Sequence, residues 1–206
     1  MRGVVAPVIG SILAALLVGC SMSAPPPSPS PFNSKDTITV ADDPVSGLSD
    51  TRYVDTIEAV CSPPIGWTTE PIKSGNRHMH QVWVSPSGHT AYGVIHFTLP
   101  LPVGTDPVLW VFMSRMRHEE GEAKLLSKQY DSNLNGVRFV AQGGLYTVRT
   151  NLLVRGFDGW AIYAGTHTTE EVVPEELALA ERARERTQVG IHRNATVSSE
   201  LTARSD

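Results

Sequence analysis

Two arginines in the second half of the chain are the residues whose spacing most suggests ligand chemistry. Arg138 and Arg149 flank Gly143-Gly144, a pair that permits the positive φ values of a two-residue hairpin turn. If both glycines are central turn residues, the arginines lie directly opposite each other on paired strands. Like charges there destabilise a sheet unless an anion lies between them, and arginine pairs well with carboxylate and phosphate. The spacing predicts an anionic-ligand site; the alternatives are an acidic side chain of the last helix and simple solvation.

Three histidines form a second candidate site. His78 and His80 are two residues apart in a predicted strand, so they project to the same face. Imidazoles at this spacing can chelate a metal ion, and His96 on the next strand is a possible third ligand. The alternative is that these are core or surface histidines, because Val82 and Val84 continue the same face and no carboxylate lies nearby in sequence to orient the rings.

Several classes of active site are missing from the sequence. It contains no Gly-x-Ser-x-Gly nucleophile elbow, no phosphate-binding glycine loop and no Cys-x-x-Cys pairs. The stretch His118-Glu119-Glu120 begins like a metalloprotease helix but lacks the second histidine one turn later. With a net charge of −4 and no basic run, nothing favours a nucleic-acid partner. We predict no cofactor, and the sequence leans away from an enzyme without deciding the matter.

The elements that must position these residues follow from turn and cap signals. Strands are predicted over 78–84 and 90–97, joined by Ser85-Pro86-Ser87-Gly88. A helix begins at Asp106-Pro107 and ends before Gly121; because Val108 to Met113 is apolar on nearly every face, we expect it to be largely buried. A meander follows, with predicted turns at Asn135-Gly136, Gly143-Gly144 and Asp158-Gly159. A last helix covers 174–188.

The alternation of side chains along the meander predicts the fold class. One face carries six apolar or aromatic residues: Phe139, Ala141, Tyr146, Val148, Leu152 and Val154. The other face carries Leu153, Trp160 and Ile162 beside polar groups. A sheet with apolar residues on both faces needs cover on both. The sequence therefore predicts an α+β fold in which an antiparallel sheet has helices on both faces.

The start of the chain has the pattern of an export signal. Arg2 precedes an apolar run from Val4 to Val18, which is shorter than the roughly 20 residues that span a bilayer. The run ends in Leu17-Val18-Gly19-Cys20, which resembles the lipobox of bacterial lipoproteins. The resemblance implies that residues 1–19 are a signal peptide and that Cys20 is lipidated, which anchors the chain to a membrane. The alternative is an ordinary secretory signal that happens to contain a cysteine.

The rest of the chain divides into a spacer, one domain and a tail. Residues 20–50 form a Pro/Ser-rich linker, and its first fifteen residues could hold a domain up to roughly 45 Å from the membrane. The domain covers 51–190, and 191–206 is predicted to be a disordered tail. Cys61 has no intramolecular partner if Cys20 is lipidated, so we expect a packed small residue; the alternative is a reactive thiol.

The domain also resembles a known family. Its element order, the lead Pro64-Ile65-Gly66-Trp67 and the closing helix are similar to those of the PsbP-like αβα sandwiches, which include extrinsic photosystem proteins and bacterial lipoproteins. The resemblance to bacterial lipoproteins further implies that Ser21, which follows the cysteine, favours the outer membrane, facing the periplasm. The expected function is a membrane-anchored, non-catalytic domain that binds an envelope protein or supports an assembly. The alternative is a small-ligand (anion or metal) binding protein, or an enzyme, that uses the histidines and arginines.

Overall fold

The computed structural model of the protein describes residues 46–75, 77–132 and 135–190. The predicted signal peptide, Cys20, most of the predicted linker and the predicted tail lie outside these residues. In the described stretches, neither helix is long and apolar enough to cross a bilayer.

The domain contains eleven strands and two α-helices among its described residues, with one 3₁₀ turn at Asp55–Ile57. Helix α1 covers Thr105–Glu120, and helix α2 covers Pro174–Arg186. The strands are β1 (Arg52–Val54), β2 (Ala59–Cys61), β3 (Thr68–Thr69), β4 (Lys73–Gly75), β5 (His78–Val84), β6 (Thr90–Thr98), β7 (Ala123–Asp131), β8 (Gly136–Gly143), β9 (Tyr146–Arg155), β10 (Asp158–His167) and β11 (Gln188–Val189).

The main sheet is antiparallel and has eight strands in the order β3-β5-β6-β10-β9-β8-β7, with β4 also paired to β5. A small three-stranded sheet, β1-β2-β11, lies beside it. Helix α1 packs on β7, β8 and β9, and helix α2 packs on β10 and β6. The predicted α+β class, an antiparallel sheet with a helix on each face, is confirmed.

Two apolar cores, one on each face of the sheet, hold these layers together. The α1 side buries Phe139, Ala141, Val148 and Leu152, as the alternation of the meander predicts, together with other sheet residues and the inner side of α1. The α2 side buries an apolar set that includes the predicted trio: Leu153, Trp160 and Ile162. Burial of apolar surface at about 25 cal/mol per Å² on both faces is therefore the main force that fixes the helix positions.

All three predicted turns of the meander are displaced by a few residues, without any change of face. Between β9 and β10 the turn residues are Gly156 and Phe157, because Arg155 pairs with Asp158. Between β7 and β8, Asp131 pairs with Gly136, so the connection is four residues long. Next to each turn the register differs from the prediction by an even number of residues, because an odd slip would move the buried side chains to the wrong face. Farther along β7, the irregularity between Leu125 and Ser127 shifts the register by one more residue.

Helix α1 is less buried than the sequence predicts. Trp110 is 70% exposed and Val111 is 39% exposed, whereas Leu109, Phe112 and Met116 are buried. The helix touches the sheet along one stripe at i, i+3 and i+7, and its other sides have no layer above them among the described residues. The prediction of a largely buried helix is therefore wrong, although its start and end are within one residue of the predicted positions.

Gly93 creates space for a buried polar contact inside the sheet. It pairs with Tyr163 of β10 and with Val82 of β5, and a Cβ atom at this position would lie 2.5 Å from the Tyr163 ring. The tyrosine ring therefore lies across β6, and its hydroxyl is 2.9 Å from Nε2 of the fully buried His80 on β5. Because residue 93 has no side chain, a buried hydrogen bond can join β5 to β10 across the strand that lies between them, β6.

We predict that Gly93→Ala lowers the free energy of unfolding by about 1–3 kcal/mol, because the added methyl group must displace the Tyr163 ring. Denaturant unfolding monitored by circular dichroism measures the effect. The control is Gly104→Ala, where no atom lies within 4 Å of the new Cβ and only the preference at the start of α1 changes, by less than about 1 kcal/mol. Equal losses in the two variants would contradict this account of Gly93.

Candidate functional site

Arg138 and Arg149 share one face of the sheet, but they are not directly opposite each other. Arg149 pairs with Val140, and Arg138 pairs with Asn151, so the two arginines are diagonal neighbours. Residues at such positions on antiparallel strands remain within reach of long side chains. The predicted direct opposition is therefore wrong, whereas the predicted common face is confirmed.

The position of the β8–β9 turn explains this difference. The two central residues are Gly144 and Leu145, because Glu120 at the end of α1 accepts the backbone N–H groups of Leu145 (2.9 Å) and Tyr146 (3.2 Å). A Cβ atom on Gly143 would lie 2.1 Å from the Glu120 carboxylate. Gly143 and Gly144 thus allow the C-terminal end of α1 to lie close to the β8–β9 turn. The positions of the two glycines in the sequence do not reveal this contact.

The two arginines line an open groove on the α2 side of the sheet. Helix α2 covers β6 and β10, and no other described element covers β8 and the edge strand β7 on that side. The groove has a volume of about 550 Å³. Its lining residues are Ser127, Lys128, Gln129, Arg138, Phe139, Val140, Arg149, Glu181 and Arg184. We refer to it below as the arginine groove.

Each predicted arginine has an acidic partner. Nε of Arg138 lies 2.8 Å from a carboxylate oxygen of Asp131, and Nε of Arg149 lies 2.9 Å from a carboxylate oxygen of Glu181 on α2. The second contact is the glutamate of the last helix that the sequence offered as an alternative. Both arginines remain partly open to solvent, with side-chain exposures of 43% and 31%, so these ion pairs contribute little stability.

A third arginine joins the groove from helix α2. Arg184 is buried, its Nη1 donates a 2.6 Å hydrogen bond to Oδ1 of Asn151, and the nearest carboxylate is that of Glu185 at 3.5 Å. Burial lowers the pKa of this guanidinium below its usual value, and the charges of Arg138 and Arg149 add to the effect. Sequence reasoning missed Arg184, although its spacing of three residues from Glu181 places both side chains on one side of the helix.

The arginine groove contains more donors than the protein satisfies. Nε of Arg184 and Nη1 of Arg149 are buried and have no hydrogen-bond partner among the described residues. Three guanidinium groups meet the carboxylates of Asp131 and Glu181 within 3 Å and the more exposed carboxylate of Glu185 at 3.5 Å. A buried N–H group without an acceptor costs about 1–3 kcal/mol. The groove is therefore chemically suited to accept a further anionic oxygen.

The three histidines do not form one site. His78 pairs with Phe97 and His80 pairs with Ile95, whereas His96 pairs with Met79. Because paired residues share a face, His96 lies on the opposite side of the sheet, and the predicted three-histidine metal site is wrong in its geometry. The described stretches hold no group of three histidine, cysteine or carboxylate side chains arranged to bind a metal ion.

His96 and Cys61 have structural environments instead. The ring of His96 stacks on Trp160 with centroids 4.9 Å apart, and its Nε2 lies 3.3 Å from Asp158. Cys61 is fully buried, and burial raises the pKa of its thiol to about 11 despite a hydrogen bond with Tyr92. A thiol in this state is protonated at neutral pH, which agrees with the prediction of a packed residue rather than a reactive one.

Comparisons with known proteins support the fold. No family model matches the chain, and no curated protein sequence matches it. The chain is similar to the solution structure of the cyanobacterial PsbP protein CyanoP from Synechocystis sp. PCC 6803, with a TM-score of 0.50 and 13% identity over 71% of this chain and 94% of that one. A crystal structure of a protein from Bacteroides thetaiotaomicron aligns with a TM-score of 0.37 and 13% identity, over 68% of this chain and 48% of that one.

The likeness to CyanoP decides the architecture. The domain has a PsbP-like fold. At 13% identity the likeness shows the fold alone, and no residue of the arginine groove is assigned a role by it. The role of the groove therefore has to be argued from its own contacts.

We predict that Asn151→Ala lowers the free energy of unfolding by about 2 kcal/mol, because it removes the acceptor of a buried charged group. Adding Arg184→Met should recover part of this loss, since an apolar side chain of similar length does not need an acceptor. A double-mutant cycle in denaturant measures the coupling, expected at about 1–2 kcal/mol. Strictly additive losses would show that the contact between Asn151 and Arg184 carries no energy.

Proposed function

We propose that this protein is a lipid-anchored protein of the bacterial cell envelope whose PsbP-like domain is a non-catalytic binding module. The anchoring half of the proposal is supported by the apolar run that ends in Leu17-Val18-Gly19-Cys20, where the cysteine would be acylated. Two or more acyl chains give stable attachment to a membrane. The proline-rich linker that follows would hold the domain away from the lipid surface, and Ser21 favours the periplasmic side of the outer membrane.

The binding half of the proposal depends on one observation, the unsatisfied arginine donors in the groove. Nη1 of Arg149 and Nε of Arg184 are buried and have no acceptor within the part of the chain that the structure describes, although folding favours partners for such groups. Positioned donors with spare capacity are a common feature of binding sites. The groove offers ion pairing rather than bond-making chemistry, and none of the three candidate histidines lines it. A binding domain for an envelope partner is therefore the function that the geometry supports best.

A second candidate function uses the same groove. A small anion could occupy the donors of Arg149 and Arg184 without any protein partner, which would make the domain a small-ligand binding protein. The groove is open along the edge strand β7 rather than enclosed, whereas small-ligand pockets usually bury most of their ligand. The openness of the groove favours a macromolecular partner.

We predict that Cys20→Ser abolishes acylation of the protein. Wild-type protein expressed with labelled palmitate in a bacterial host should incorporate the label and partition with the membrane fraction. The variant should incorporate none, because it lacks the sulfur to which lipid is attached. Labelling is the decisive readout, since an uncleaved signal peptide could also hold the variant at the membrane.

Cys61→Ser provides the matched control for this experiment. It removes the other cysteine of the chain, which is buried, and should leave both labelling and membrane partition unchanged. Label in the Cys20→Ser variant, or an intact mass showing a mature N-terminus at another residue without lipid, would refute the anchor.

A further inference from the structure

We propose that the arginine groove binds an extended acidic polypeptide segment, with a carboxylate of that segment held by Arg149 and Arg184. The proposal rests on the binding module proposed above and names the chemistry of its partner. Two features of the domain carry it. One is the excess of buried guanidinium donors in the groove, and the other is the free edge of the sheet that forms one side of it.

The charges of the groove call for one more anion. Arg138 and Arg149 each have a carboxylate within 3 Å, whereas Arg184 has the neutral oxygen of Asn151 at 2.6 Å and its nearest carboxylate, that of the exposed Glu185, at 3.5 Å. Arg184 is more than nine-tenths buried, and its Nε has no acceptor among the described residues. A carboxylate that reaches both residues would supply acceptors for Nη1 of Arg149 and Nε of Arg184.

The acidic residues already present favour a carboxylate over a phosphate. Glu181 and Asp131 lie among the arginines, so an incoming ligand meets negative as well as positive charge. Because these two carboxylates already offset two of the guanidinium charges, the charge that remains is matched by one carboxylate rather than by a phosphate with nearly two charges. The geometry of a guanidinium fork also suits the two oxygens of a carboxylate.

The shape of the groove favours an extended chain. Ser127 and Gln129 on one side of it belong to β7, the last strand of the main sheet, which pairs only with β8 in the described part of the chain. The residues 124–130 are all exposed. Because no strand lies beyond β7 in the described part of the chain, the groove is open on this side and an extended segment can enter it across β7.

Two features of β7 favour an acidic partner over another copy of the same strand. The register is interrupted by an irregularity between Leu125 and Ser127, which disturbs regular pairing of two identical edges. Lys124, which is exposed and 3.5 Å from Glu122, would repel its counterpart in a second copy, whereas Lys128 is already paired with Asp106 of α1 at 2.6 Å. An acidic segment that crosses β7 into the groove would present a carboxylate to Arg149 and Arg184 from the solvent side of β8 and β9.

Peptide binding to the full mature protein in detergent tests the proposal. The probe is a fluorescein-labelled, terminally blocked octapeptide of alternating glutamate and valine, and the matched peptide has glutamine in place of glutamate. Fluorescence anisotropy should show binding of the acidic probe only. Arg149→Gln should weaken it about tenfold, because a charge-assisted hydrogen bond is lost.

Glu181→Gln should act in the opposite direction. It removes the internal carboxylate that competes for Arg149, so the acidic probe should bind several-fold more tightly. The control for Arg149→Gln is Arg117→Gln, which also removes one positive charge. Arg117 is exposed on α1, on the other side of the sheet, so this change should alter the affinity by less than twofold. Thermal unfolding of each variant confirms that it is folded before binding is compared.

Three results would overturn the proposal: equal binding of the glutamine peptide, an Arg149→Gln affinity equal to that of wild type, or a Glu181→Gln affinity that does not rise. Displacement of the probe by millimolar inorganic phosphate would assign the groove to phosphate instead. The acylation experiment is independent of these results. A protein that is acylated but does not bind the acidic peptide would support the lipid anchor and contradict this inference. A protein that binds the peptide but is not acylated would support this inference and contradict the lipid anchor.

Discussion

The architecture depends on one constraint, an eight-stranded sheet that is apolar on both faces and wider than a single helix can cover. Strands are spaced by about 4.8 Å and a helix is about 10 Å across, so α2 shields only a few strands. It packs on β6 and β10, and the small β1-β2-β11 sheet contributes to the same core through Ala59 and Cys61. Among residues 46–190, as far as they are described, no element covers β8 and β7 on this face. Most of the residues that line the arginine groove here are polar or charged.

Much of this could be predicted from the sequence, because period-two alternation is a strong signal. The meander pattern assigned Phe139 to one core and Trp160 to the other, and the structure agrees. The exact turns could not be predicted, since Gly143 serves a contact with Glu120 that is distant in sequence. The exposure of Trp110 was missed for a related reason: an apolar run does not reveal which side of a helix lacks a covering layer.

The candidate site was predicted only in part, and the missing part is tertiary. Arg138 and Arg149 were selected as neighbours on one face, which holds even though they are diagonal rather than opposed. Arg184 reaches them from a helix some 35 residues later, and no local pattern pairs it with Asn151. The histidines show the converse case. His96 pairs with Met79, which lies between His78 and His80 on β5. Because neighbouring residues of a strand point to opposite faces, His96 lies on the other face of the sheet from these two histidines.

The likeness to CyanoP places the domain among PsbP-like folds and leaves its partner open, because binding is determined by side chains that the likeness does not assign. Photo-crosslinking in the native membrane tests the role of the groove most directly. A photoreactive residue at Gln129, inside the groove, should give one discrete protein adduct, and the same residue at the exposed Trp110 on the opposite side of the sheet should not. The adduct from Gln129 should disappear in Arg149→Gln. Adducts of equal yield from both positions, or an adduct that persists without Arg149, would contradict an arginine groove that binds an acidic partner.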